Sequence, residues 1–108
     1  MQTIYTIHAP DSEKLEHVIA EMRERGAPTI RVVDCGDFFM ALEGSHRVPA
    51  AAVLGITPTL VVLEQDDLVD ADSLDWQDYL QAGQQYTAAE LAGEVRGHGN
   101  CSYSFDKL

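Results

Sequence analysis

Hydrophobic and polar positions change period several times along the chain, and each change marks an element. Residues 2–7, QTIYTI, set Ile4 and Ile7 around Tyr5, the pattern of a short strand. His8-Ala9-Pro10 reads as a connector. From Asp11 to Arg25 the period becomes helical. Leu15, Val18, Ile19 and Met22 fall at i, i+3, i+4 and i+7, while Glu13, Glu16, Glu21 and Glu24 lie off that stripe. Asp11 or Ser12 caps the start, and Gly26 ends the helix.

Thr29–Asp34, TIRVVD, is a β-branched run and predicts a second strand. Cys35-Gly36-Asp37 is turn chemistry, and Phe38–Leu42 reads as a third strand, so residues 29–43 form an expected β-hairpin. Val48–Leu54 is alanine-rich and predicts a short helix closed by Gly55. Thr59–Leu63, TLVVL, lacks alternation and predicts a buried strand. Glu64–Asp75 carries six carboxylates and reads as an exposed loop. Trp76, Tyr79 and Leu80 recur at helical spacing and are expected to cover the sheet. Thr87 and Glu90 have the spacing of a capping box, so a helix using Leu91 and Val95 is expected to run to about Arg96. The tail, GHGNCSYSFDKL, is either a mobile end or an added strand through Tyr103 and Phe105. The expected fold class is α/β (α+β): a small mixed sheet with packed helices, plus two C-terminal helices. Residues 1–66 form the expected core, and 67–108 an acidic helical extension and tail of the same domain.

Charge narrows the function classes. The chain of 108 residues has 18 acidic and 7 basic residues, a formal net charge of -11. Duplex nucleic acid and anionic membranes are poor partners for such a surface. A small anionic ligand at a local site, or a basic partner protein, remains compatible. No signal peptide or apolar run of spanning length is visible, and two cysteines make no disulfide framework. The expectation is a cytoplasmic protein with reduced thiols. Cys35 reads as an inert thiol, His8 and His17 as connector or surface residues. His98 and Cys101 have H-x-x-C spacing, yet two ligands do not make a structural zinc site.

The richest chemistry lies in EGSHRVPAAAVLG, residues 43–55. A strand ends near Glu43 and a helix begins within a few residues. Pro49 belongs in a first turn, which therefore spans Ser45–Pro49, with Ser45 as the natural N-cap. Free amides and the helix dipole favour an anion there, and Gly44 lets the backbone approach it closely. His46 adds a donor and Arg47 a bidentate fork for phosphate. A plain turn of polar residues would carry the same sequence.

Here the chain resembles the ParB/sulfiredoxin superfamily, over residues 12–64. EGSHRVPAAAVLGITPTLVVLE is similar to the G-x-H-R-x-x-A-x-x-x-L-G core of ParB N-terminal domains, free serine kinases and sulfiredoxins. In those proteins the motif holds the phosphates of ATP or CTP. The resemblance implies that Gly44, Ser45, His46 and Arg47 bind a nucleotide. It implies ATP-dependent phosphoryl transfer or hydrolysis as the possible chemistry, with Glu43 holding Mg²⁺ and Glu43 or Asp11 serving as base. A helix N-cap is the stronger reading of Asp11, and Glu43 reads equally as a solvated strand end. Ser45 stands where sulfiredoxins carry their nucleophilic Cys, which removes sulfinic acid reduction. Too few residues follow Glu64 for the DNA-binding and dimerisation regions of partitioning ParB proteins. Two alternatives accompany the nucleotide reading. One is a non-catalytic interaction module, a toxin, antitoxin or mobile-element accessory that docks a basic partner through its acidic C-terminal half. The other is a ParB-like nuclease, which the charge opposes.

Overall fold

A computed structural model describes residues 2–74, 76, 80–95 and 101–106, the side chain of Val95 excepted. The elements in order are β1 (Gln2–Thr6), α1 (Ser12–Arg25), β2 (Thr29–Asp34), β3 (Phe39–Ala41), α2 (Arg47–Leu54), β4 (Thr59–Val62), β5 (Leu68–Asp70), β6 (Gln85–Thr87), α3 (Ala88–Val95) and β7 (Cys101–Phe105). A 3₁₀ turn, Ala71–Ser73, follows β5. The fold is mixed α+β.

The main sheet has five strands in the order β4-β2-β3-β1-β7. β2 and β3 form the expected antiparallel hairpin, with Val33 opposite Met40. The Cys35 N–H donates to the Phe38 carbonyl at 2.9 Å and closes its turn. β3 then lies parallel to β1, with Ile4 opposite Phe39. β4 lies parallel to β2, and β7 antiparallel to β1.

Alternation on the strands builds two cores, one on each face. Ile4, Ile30, Val32, Ala41 and Phe105 face one side. There they meet the stripe of α1, in which Met22 is buried, and Val48, Ala50 and Ala51 of α2. Val33, Met40 and Leu42 face the other side, where Val69, Leu74, Trp76, Leu80, Ala88 and Leu91 cover them. A strand covered on both faces needs apolar residues in succession, which explains Ile30, Val32 and Val33 in β2.

Several expectations change. β4 is an edge strand rather than a buried one: Val61 and Val62 are 44% and 45% exposed. An uninterrupted apolar run looks the same at an edge and at a centre when strand order is unknown. Glu64–Asp75 is not a loop throughout. Within it β5 pairs with β6, and Val69 is buried on the second core. The expected split into a 1–66 core and a 67–108 helical extension gives way to interleaving. Residues 67–108 supply β7 to the main sheet and the layer over its second face. Of the two expected C-terminal helices, α3 is present, and the other falls largely on residues outside the described ones. The Leu80 N–H donates to the Trp76 carbonyl at 3.0 Å, and residues 77–79 between them lie outside the described residues. Tyr79, Arg96 and His98 lie outside the described residues.

The capping box is made. The Thr87 hydroxyl accepts from the Glu90 N–H at 3.1 Å, and the Glu90 carboxylate accepts from the Thr87 N–H at 3.1 Å. Replacing Thr87 with alanine should lower stability to urea unfolding by about 1 kcal/mol. Leu91→Ala, at a fully buried position, should cost roughly 2–5 kcal/mol. Equal losses for the two variants would contradict this division between cap and core.

Candidate functional site

Parallel pairing of β1 with β3 sends both strands toward the same edge of the sheet. Each runs into a helix, β1 into α1 and β3 into α2. Two strand-to-helix junctions therefore meet beyond the carboxyl ends of adjacent parallel strands, the place where open α/β sheets hold ligands.

At the first junction Asp11 is the N-cap of α1. Its Oδ1 accepts from the Glu13 and Lys14 amides at 3.0 and 3.1 Å. The Lys14 amide, above all, lowers the Asp11 carboxyl below its ordinary value; burial opposes this, and the Glu13 amide and the charge of Lys14 add to it. At the second junction Gly44 turns the chain with φ 92°. A Cβ on Gly44 would lie 3.1 Å from Ile30 Cδ1, so both backbone and packing call for glycine.

The two junctions are tied together. The Asp11 N–H donates to His46 Nε2 at 2.9 Å. A neutral imidazole that accepts at Nε2 carries its proton on Nδ1, which remains a donor. His46, not Ser45, is the N-cap residue of α2, and its side chain caps α1 instead of its own helix. The Val48 N–H reaches back to the Gly44 carbonyl at 2.9 Å, which places Ser45, the expected cap, inside a turn one step ahead of the observed one. Pro49 has no N–H, and the Ala50 N–H goes to the His46 carbonyl at 3.0 Å. The amides of Ser45, His46 and Arg47, ahead of the first helical bond, are thus the donors of this junction among the described residues.

A cleft of about 440 Å³ opens there. Thr6, His8, Asp11, Ser45, His46 and Ser73 contribute polar lining, and Ile7, Leu42 and Trp76 contribute apolar lining. Its size falls in the range of small-molecule sites. Buried Thr6 donates its hydroxyl to the His8 carbonyl at 3.2 Å and shapes the bend out of β1. Thr6, His8, Ser73 and Trp76 were not expected at the site. The position of His8 directly after a strand that leads into a capped helix is the local signal for it. Ser73 and Trp76 come from the second layer, and no nearby sequence announces them.

Of the expected site residues, Asp11, Glu43, Gly44, Ser45 and His46 border this cleft. Arg47 does not. It lines a separate depression with Val18, Met22, Arg25 and Pro28, on the α1 side. Its Nη1 donates to the Thr29 carbonyl at 3.2 Å, and its Nη2 lies 3.5 Å from Glu43 Oε1. Glu43 also accepts from Arg31, Nε at 3.4 Å and Nη2 at 3.5 Å. Both Glu43 oxygens are therefore committed to guanidiniums. In this arrangement Glu43 faces two guanidiniums at the margin of the cleft. Among the described residues no group of three or more His, Cys, Asp or Glu is placed to hold a metal. Asp11 takes the N-cap role, and a carboxyl held below its ordinary value is a weak base.

Compared with protein-family models, curated proteins and solved structures, the chain finds no match.

Two outcomes test this geometry. Gly44→Ala should destabilise by more than about 1 kcal/mol, because alanine at positive φ is strained and here also meets Ile30. A neutral result in denaturant titration would contradict the turn. The lowered carboxyl of Asp11 stabilises the fold above its unfolded value, near 3.8, and that contribution is lost as pH falls through the lower folded value. Asp11→Asn, which caps without titrating, should flatten the loss of stability between about pH 5 and pH 3. Identical acid profiles for the two proteins would contradict the cap.

Proposed function

We propose that the cleft binds a phosphate-bearing small molecule, with a nucleotide, ATP or CTP, as its class. The observation that carries this reading is the meeting of two helix starts over one cleft, joined by the Asp11 to His46 hydrogen bond. The α2 start supplies the free amides and the dipole's positive end, while the first amides of α1 are taken by the His46 ring and the Asp11 carboxylate. The amides of Ser45 and His46 and the remaining His46 N–H would donate to phosphate oxygens. Ile7, Leu42 and Trp76 would give the apolar part of such a ligand a wall. The resemblance of Gly44-Ser45-His46-Arg47 to the ParB/sulfiredoxin motif supports the same assignment.

The geometry favours binding over phosphoryl transfer. Asp11 is occupied as a cap and Glu43 lies between Arg31 and Arg47, so neither carboxylate is poised to take a proton. Mg²⁺ would arrive on the nucleotide phosphates, with Asp11 as the carboxylate at hand in the cleft. Arg47 stands outside the cleft, and its side chain braces the Glu43 turn.

Thermal unfolding with millimolar ATP, CTP and MgCl₂ tests this. Ligand that binds only the folded state raises the melting temperature. The wild type should shift with nucleotide, His46→Ala should lose most of the shift, and Arg47→Ala should keep most of it. No nucleotide shift in the wild type would end the reading. A shift abolished by Arg47→Ala and kept by His46→Ala would move the site to the other depression.

A further inference from the structure

The far edge of the sheet carries a second surface with its own chemistry. β4 is the last strand on its side of the main sheet. The Thr59 N–H donates to the Pro28 carbonyl and the Leu63 N–H to the Val32 carbonyl, at 2.9 and 3.0 Å. Residues 59, 61 and 63 thus turn their backbone groups toward β2. By alternation, Leu60 and Val62 turn theirs outward. Val61 and Val62 are both half-exposed and project to opposite faces of this edge. β4 contains none of the charges or internal prolines that blunt natural edges.

The edge borders a groove of about 590 Å³. Ala88, Ala89 and Ala92 of α3 form its small-residue wall, and Val62 belongs to its lining. The wall is fixed in place. The Ala88 N–H donates to the Asp67 carbonyl at 2.9 Å, and the Ala89 N–H to the Gln65 carbonyl at 3.2 Å. The Glu64 N–H is held by Asp67 Oδ2 at 2.8 Å. The first amides of α3 are therefore closed onto the 64–67 turn and offer nothing to an anion. The charged groups of the groove are two exposed carboxylates, Asp34 and Glu64.

We propose that β4 docks an extended, lysine- or arginine-bearing segment of a partner protein, which adds to the sheet as a further strand and sets its basic side chains against Asp34 and Glu64. The backbone groups of Leu60 and Val62 supply the hydrogen bonds, and Val61 and Val62 supply apolar cover. Charge decides between partners. A second copy of this chain brings another formal charge of -11 to the edge, whereas a cationic segment is drawn to it.

The probe is a capped octapeptide of alternating lysine and valine, compared with its glutamate–valine counterpart. Binding is read by fluorescence anisotropy and by hydrogen exchange of backbone amides. The lysine peptide should slow exchange at Leu60 and Val62, and the glutamate peptide should not. Asp34→Asn with Glu64→Gln should weaken binding by about fivefold or more, while Glu16→Gln with Glu24→Gln, an equal charge change on α1, should alter it by less than about twofold. Unchanged exchange at Leu60 and Val62, equal weakening by the two double variants, or equal binding of both peptides would overturn the proposal. So would protection of these amides in the free protein that rises with its concentration, because a second copy would then hold the edge.

Discussion

The parallel contact between β1 and β3 is the constraint on which the molecule's organisation rests. The chain could have left the β2–β3 hairpin at the sheet's end. Instead β3 inserts between β2 and β1, so that two strands run the same way side by side. Both must then be followed by helices on the same face, and both helix starts must crowd one edge. Crowding is resolved by one hydrogen bond, in which the His46 ring takes the Asp11 amide. That bond satisfies a donor at the start of α1 and fixes the orientation of the α2 turn. Gly44 is needed for the same reason, since the turn passes too close to Ile30 for a side chain.

Charge is distributed to match this frame. Arg31, Glu43 and Arg47 form a small ionic cluster on the exposed side of the β3–α2 turn. Exposed pairs of this length contribute little to stability by themselves. Their effect here is directional: they hold Glu43 out of the cleft's chemistry and turn Arg47 toward Thr29. The proposed binding would consequently rely on backbone amides and one imidazole rather than on a guanidinium. Acidic residues are dense along the 64–72 segment, and Asp34 and Glu64 lie in the groove that Val62 of β4 also lines.

Much of this was legible along the chain where the signal is local. The α1 stripe and its Asp11 and Gly26 ends, the β2–β3 turn, the Gly55 stop and the Thr87–Glu90 box each depend on residues within a few positions. Their physics is short-range, so sequence spacing carries it. β4 shows the opposite case, because whether TLVV is central or at an edge depends on strand order. β5 is hidden by its carboxylates: one buried residue, Val69, in a three-residue strand gives too short a pattern. In the site, Gly44, Ser45 and His46 were brought together by the junction as their spacing implies. Arg47 was not, because each helical step rotates the side chain by roughly 100° and places it over the α1 side. Trp76 and Ser73 reach the cleft through tertiary packing alone.

In the proposed function the start of α2, joined to α1 through His46, forms the anion-binding side of the cleft. Backbone amide chemical shifts during titration with inorganic pyrophosphate test it most directly. The account predicts that the largest changes fall on His8, Asp11 and Ser45–Arg47. Changes centred instead on Met22–Pro28, or none in the cleft at saturating pyrophosphate, would contradict it.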